Sequence, residues 1–380
     1  MKKVLMALAC TATTGMAHAQ SSVTIYGFAD EGLQYTSNQA GSSAWAMAQG
    51  ALGTSKWGIT GKEDLGGGMR AVFKLESAFN MSNGAALPTG YIFGNQAYVG
   101  LGSDRYGELR LGRQYDLNCD SLLPFTSMGK FAGVQGAHAG DVDNLWADFK
   151  LSNLAKYLSP DLWGFHLGAA YGFGNTAGSM GENQVVNFSL TYANGPFSAA
   201  GAFMRVNNPA TAVWGGTAPP AAGGAYVNPL NSPIYRGYAS ASSMQVAGGA
   251  LQYQVGSSTF GAVFTNAMYN NAVQTTTTPL GGSAHFNTLE GNYIWNVTPA
   301  FLLGAAYSYT WATNARYRQL NLGTTYALSK RTLLYLNGVW QHASGTNSLG
   351  MPAVAANLDS PIASDSRNQT VVRVGIRQAF

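Results

Sequence analysis

The sequence predicts an all-β protein, a 16-stranded antiparallel β-barrel that spans a membrane. Three observations predict it. The first is composition: 48 of 380 residues are glycine, 12% are aromatic and only 10% are charged, against averages of about 7% glycine and about 25% charge. Glycine at that density disfavours helix by about 1 kcal/mol per residue, and many aromatics with little charge exclude disorder. The second is alternation of apolar and polar residues with period two, in segments separated by turn signals. The third is that short and long connections alternate along the chain, as in the meander of an outer-membrane barrel. An apolar run of about 18 residues, enough for a spanning helix, is missing.

The elements follow in order. Lys2 and Lys3, an apolar stretch at 4–9 and Ala17-His18-Ala19 predict a cleaved signal peptide over 1–19, with one barrel domain over 20–380. Its removal takes the formal charge from +4 to +2 (19 basic minus 17 acidic residues), too small to point to nucleic acid. Cys10 leaves with the signal; a clean Ala-x-Ala after it argues against lipidation. Cys119 then stands alone, so the exported chain holds together without a disulfide.

Sixteen alternating segments are expected near 23–35, 55–65, 69–80, 92–102, 106–114, 149–158, 164–173, 184–194, 197–206, 243–254, 258–268, 285–297, 300–311, 316–328, 332–343 and 370–380. In the last, Val372, Val374, Ile376 and Phe380 share one face, while Arg373, Gly375 and Arg377 share the other. Short turns fall at 66–68, 104–106, 161–163, 195–196, 256–257, 298–299 and 329–330. Long loops are expected at 36–54, 81–91, 115–148, 174–183, 207–242, 269–284 and 344–369, with only 312–315 short on that rim. The 207–242 stretch, with Pro219-Pro220, Gly223-Gly224 and Pro229, reads as an external loop. About 22 residues per strand and connection suffice for tilted strands of about 9–11 residues. A barrel of this size encloses an aqueous channel. A secreted β-sandwich, propeller or solenoid shares the short strands, but lacks the alternating loop lengths and would show a blade-length repeat.

Motifs for chemistry are sparse. H-E-x-x-H, C-x-x-C, G-x-S-x-G and the phosphate-cradling G-x-x-x-x-G-K-[ST] are all missing. His138, His166, His285 and His342 are scattered. The reading is therefore of a non-enzyme without cofactor or metal, with an outer-membrane barrel enzyme or a secreted β-rich binding protein as the competing classes. The segment 115–148 is too long for a routine hairpin connection and carries Asp116, Asp120, Asp141, Asp143 and Asp148. Lys56, Lys62, Arg70, Lys74, Arg110, Lys156, Arg373 and Arg377 alternate with apolar residues. A charge on the lipid face near the midplane costs about 2–4 kcal/mol, which turns these cations inward. Residues alone leave two fates for the acidic segment, a solvated external loop or a constriction folded against the basic wall.

The chain resembles the trimeric general porins of Gram-negative bacteria, as found in beta-proteobacteria. The resemblance starts at Ser22-Val23-Thr24-Ile25-Tyr26-Gly27 and continues through Ser55-Lys56-Trp57-Gly58-Ile59-Thr60-Gly61-Lys62-Glu63-Asp64-Leu65 and Phe73-Lys74-Leu75-Glu76. Its most specific strings are Gln96-Ala97-Tyr98-Val99-Gly100-Leu101 and Gly107-Glu108-Leu109-Arg110-Leu111-Gly112-Arg113-Gln114-Tyr115-Asp116. Pro124-Phe125-Thr126 and His138-Ala139-Gly140-Asp141-Val142-Asp143-Asn144 look like the family's third loop, and Lys156-Tyr157-Leu158-Ser159-Pro160 and the final Phe380 complete the match. The resemblance implies an outer-membrane homotrimer, a third loop folded inward as the constriction, and passive diffusion of ions and small hydrophilic solutes, with lipid on the outer face. On this reading Lys56, Arg70, Lys74 and Arg110 face Asp116, Asp120 and Asp141 across the narrowest section. Weak anion preference is expected, because lumenal bases outnumber loop acids. The chain departs from the family at Lys56 and Lys156 (often Arg), Thr60 (often Arg or Lys), Lys74 (usually Gln) and Asn95 (often Arg), and by Cys119 in the loop.

Overall fold

A computed structural model describes residues 22–210, 232–274, 279–358, 360 and 362–380. The expected signal peptide over 1–19 lies outside them, as does most of the 207–242 loop with its Pro219-Pro220 and Gly223-Gly224 pairs.

The described chain is one closed antiparallel sheet. In order the strands are β1 (Ser22–Gln39), β2 (Ser42–Gln49), β3 (Lys56–Gly66), β4 (Met69–Phe79), β5 (Ala86–Leu87), β6 (Gln96–Ser103), β7 (Gly107–Gln114), β8 (Leu151–Leu158) and β9 (Phe165–Gly172). Then follow β10 (Val185–Asn194), β11 (Phe197–Asn207), β12 (Ser243–Val255), β13 (Ser258–Ala272), β14 (Gly282–Thr298), β15 (Phe301–Ala312), β16 (Ala315–Ala327), β17 (Thr332–Gly345) and β18 (Asn368–Ala379). These eighteen segments build sixteen staves. β2 and β3 pair with the two halves of β1, Glu31–Gln39 and Ser22–Phe28, and so form one interrupted stave. β5 adds two residues beside β4.

The expected loop at 36–54 is therefore corrected. β1 runs on to Gln39 and turns at Ala40-Gly41 into β2, leaving only 50–55 irregular. Alanines on the water-facing side of Ala44-Trp45-Ala46-Met47-Ala48, opposite the large apolar Trp45 and Met47, hide the period-two signal there. The 269–284 loop shrinks to 273–281 as β13 and β14 extend.

The seam closes between β18 and β1, in register from Phe28↔Ala379 to Thr36↔Val371, and the Phe380 amide donates to the Gly27 carbonyl at 3.0 Å. At the short-turn end of β3, Gly66, Gly67 and Gly68 all take positive φ (80°, 60° and 77°) to make the turn into β4. Side chains obey the alternation. On β14, Phe286, Thr288, Glu290 and Asn292 are buried while Leu289, Tyr293 and Trp295 are exposed. On β18, Arg373 is buried while Val372, Val374 and Ile376 are exposed. Near the short turns, Phe197, Tyr253, Phe260 and Tyr293 stand opposite one another on neighbouring strands, an aromatic girdle of the kind that marks a membrane–water boundary. Among the described residues no helix is long and apolar enough to cross a membrane; the apolar outer faces of the strands are the bilayer-facing surface.

Candidate functional site: the lumenal wall and the third loop

Strands β3, β4, β6 and β7 pair side by side and carry the four expected basic residues. Lys56 and Lys74 share the Glu76 carboxylate, with Nζ to Oε2 distances of 3.2 and 3.7 Å. Glu76 is fully buried and also accepts hydrogen bonds from Tyr26 Oη at 2.7 Å, Tyr115 Oη at 3.1 Å and Asn95 Nδ2 at 3.2 Å. Lys74 lies over the Tyr26 ring and Arg110 over the Tyr98 ring, 5.2 and 5.1 Å from their centroids. Arg70 sits close to the short-turn rim, 2.7 Å from Asp104 and 3.2 Å from Glu108, whose other oxygen accepts from Arg110 Nε at 2.7 Å. This wall is mixed in charge, not uniformly basic. Glu76 and Glu108 were legible: Glu76 shares parity with Lys74 and Glu108 with Arg110, so the alternation that turns the cations inward turns these carboxylates inward too.

The loop begins with Asp116 and α1 (Leu117–Leu122). Asp116 caps that helix: Oδ1 accepts from the Cys119 amide at 2.8 Å and Oδ2 from Asn144 Nδ2 at 2.7 Å. It is fully buried, and burial pushes its carboxyl up to about 6. Asp141, also buried, accepts from the Trp146 and Asp148 amides at 2.9 and 3.3 Å. Burial and the neighbouring Asp143 raise its carboxyl well above the usual range. Both aspartates were expected to face the permeating solute; instead they fold the loop on itself. Asp120 is the expected acid that stays exposed, and it holds Lys156 Nζ at 2.6 Å. Lys156 and Arg373, expected on the open wall, are covered.

The loop is fastened along the polar inner faces of successive strands. Near its start, the Leu117 amide donates to Asn187 on β10 at 2.6 Å and Asn118 donates to the Val246 carbonyl of β12 at 3.1 Å. Further on, Ser127 gives its amide and hydroxyl to Glu290 on β14 at 2.6 and 2.7 Å. Gln319 on β16 donates to the Ala137 carbonyl at 3.0 Å, Gln135 donates to Gln34 on β1 at 3.2 Å, and the Val134 amide donates to the Ala51 carbonyl, in the gap between β2 and β3, at 2.9 Å. The return segment is locked by a buried cluster that sequence reading scattered. His138 Nδ1 is 2.6 Å from Asp143, which also accepts from Thr265 at 2.6 Å, and His138 Nε2 stands 3.5 Å from Glu290, an ionic contact and not an aligned hydrogen bond. Burial works against an imidazolium there, but the Asp143 and Glu290 carboxylates outweigh it and push His138 up to about 10. Among the described residues no cluster of side chains has metal-binding geometry.

A family model described as Gram-negative porin matches residues 5–346. The chain belongs to the Gram-negative porins. Over its full length the porin is 32% identical to outer membrane porin protein 32 of Delftia acidovorans, covering all of both chains. It is 34% identical over 234 residues to an outer membrane porin protein of Bordetella pertussis, a match of 54% of this chain and 60% of the relative. Among solved structures it is similar to an anion-selective porin from Comamonas acidovorans, with TM-score 0.72, 24% identity and coverage of 95% of this chain and 100% of the other. The OmpT outer-membrane protein of Vibrio cholerae superposes with TM-score 0.63 at 13% identity, covering 95% of this chain and 98% of the other. The porin is an outer-membrane protein of the Gram-negative type. It forms a water-filled channel for passive diffusion of ions and small hydrophilic solutes.

Proposed function

We propose that residues 115–148 form the constriction of this channel, that the porin works as a homotrimer without catalytic activity, and that it weakly prefers anions. The observation carrying the constriction is the chain of hydrogen bonds that fastens the loop to inward side chains from β10 round to β1. That route leaves β3 to β7, with Lys56, Lys74 and Arg110, as the uncovered side of the lumen, and Asp120 as an exposed acid on the loop's first turn. The acid–base group His138–Asp143–Glu290 is closed to solvent and uses its contacts to hold the loop, which favours a passive channel over a barrel enzyme.

The preference for anions rests on a local count. Lys56, Arg70, Lys74 and Arg110 are met by three carboxylates, Glu76, Asp104 and Glu108; on the opposing side Asp120 is balanced by Lys156 and burial removes Asp116 and Asp141. At an effective dielectric near 20, a unit charge at about 6 Å is worth about 3 kcal/mol before screening, so one uncompensated cation is enough to bias permeation. The Comamonas neighbour carries anion selectivity in its title; lumenal cations give the same bias a physical basis here. Replacing Lys56 and Lys74 by Gln should shift the zero-current potential in a planar bilayer toward cation preference. An unchanged potential at low salt places the selective section elsewhere. For assembly, exposed Val23, Ile25 and Ile376 near the β1–β18 seam offer an apolar face to a neighbouring subunit. Native mass measurement in detergent should give three chains, and a folded, conducting monomer would contradict the trimer.

A further inference from the structure

The loop crosses from β14 to β16 in a single π turn, Met128–Ala132, and one side chain of that turn enters the barrel wall. Phe131 is completely buried, packed with Ala132, Leu302, Ile294 and Ala306. Its ring lies against two glycines on adjacent strands, Gly304 of β15 and Gly323 of β16, which pair directly across the ladder. A methyl group built on Gly304 would overlap the ring alone, and one on Gly323 would stand 2.6 Å from Phe131 Cδ2 at the opposite edge and 2.6 Å from Asn337 Oδ1. Neither glycine has positive φ, so backbone conformation does not call for glycine at either position. The ring's space does. Glycine in a strand interior weakens the strand and marks close approach of another group, and here that group is the loop's aromatic side chain.

We propose that Phe131 and the Gly304–Gly323 slot form a positioning device that sets how far the third loop projects into the channel, and hence the width of the pore. The inference rests on the constriction reading given above. Protein interiors are close-packed and side chains cannot be compressed, so the slot's depth becomes the loop's distance from its wall. The turn is also held from both sides. Ser127 is bound to Glu290 just before it, and Val134 to the Ala51 carbonyl just after it. Any outward push on the ring therefore displaces the loop between two fixed points, toward the uncovered basic wall. Phe131 and the two glycines touch no permeating solute in this scheme; they act through the loop.

Single-channel recording in planar bilayers tests it. Gly304→Val fills the slot and should lower unit conductance by about two-fold through the backbone shift that overpacking forces. Adding Phe131→Ala to that variant should return conductance toward the wild-type value, a rescue that a general loss of stability cannot produce. Phe131→Ala alone, which introduces no overlap, should raise conductance and open-channel noise. The underlying reading is tested separately by Lys130→Cys, on the half-exposed face of the same turn, treated with a charged thiol reagent; untreated variant and treated wild type, whose Cys119 is buried, serve as controls. Loss of conductance on labelling supports the constriction. Labelled Lys130→Cys that conducts normally removes the loop from the permeation path, and the slot's role falls with it. Labelling that blocks, with Gly304→Val and Phe131→Ala both conducting like wild type or the double variant failing to recover, overturns the slot alone.

Discussion

The two sides of this lumen use the same residue types for different ends. On the side covered by the third loop, Asp116, Asp141, Asp143, Glu290 and His138 are buried and direct their charge to capping, turning and fastening the chain. On the open side, Lys56, Arg70, Lys74 and Arg110 keep part of their surface in water, and their pairs with Glu76, Glu108 and Asp104 leave a field in the channel. The difference teaches that an ionisable residue in a porin lumen cannot be assigned to selectivity from its inward direction alone. Depth decides. A charge under the loop is read by the fold, whereas one on the open wall is, on the proposed reading, met by the passing ion.

The comparison breaks most visibly at His138. Removing one member of a buried ion pair leaves the other uncompensated, at a cost of about 3–5 kcal/mol. His138→Leu should lower the stability of the detergent-folded porin by that order, detected as an earlier urea midpoint, and should open the loop to proteolysis. Lysine and arginine substitutions on the open wall should leave loop protection intact. The pH dependence sharpens the point. The folded state holds the His138 proton to about 10, well above the ordinary value near 6.5. Its contribution is therefore complete below about pH 6.5 and is lost as pH rises through about 10. Unfolding midpoints should fall over that window in the wild type, and the slope should flatten in His138→Leu.

A smaller effect separates two neighbouring acids. Asp116→Ala removes a helix cap, worth about 1 kcal/mol, and should leave the zero-current potential unchanged. Asp120→Asn, four residues on, leaves the covered Lys156 without its carboxylate, so it too should cost stability, but it should also shift that potential further toward anion preference. If Asp116→Ala moves the potential and Asp120→Asn does not, the two roles have been assigned the wrong way round.

The barrel was legible because a strand's two faces meet different solvents. Val372, Val374 and Ile376 against Arg373 and Gly375 announce their faces at every second residue, and the long and short connections sort themselves onto two rims. β2 was hidden because Ala44, Ala46 and Ala48 are apolar on the same side as the water-facing positions, and because its stave is broken at 50–55. The site was less legible for a different reason. Asp141 finds its partners five and seven residues away, Asp143 finds Thr265 122 residues away, and His138 in the loop approaches Glu290 on β14. Period-two reading reports which way a side chain points on a strand and is silent about what lies over it, or about side chains in a loop. Glu76 and Glu108 are the exception, visible by parity beside the cations they neutralise.

The seam between β1 and β18 has a consequence for how the molecule is made. Every strand before β18 can pair with a predecessor as it emerges, but β1 keeps an unmatched edge until the last strand arrives. Such an edge offers a row of amides and carbonyls to any other extended chain, and hydrocarbon tolerates none of them unpaired. Closure and burial in the bilayer are therefore a single event that waits on β18. A chain that loses its final strand keeps that edge open and forfeits the bond between the Phe380 amide and the Gly27 carbonyl.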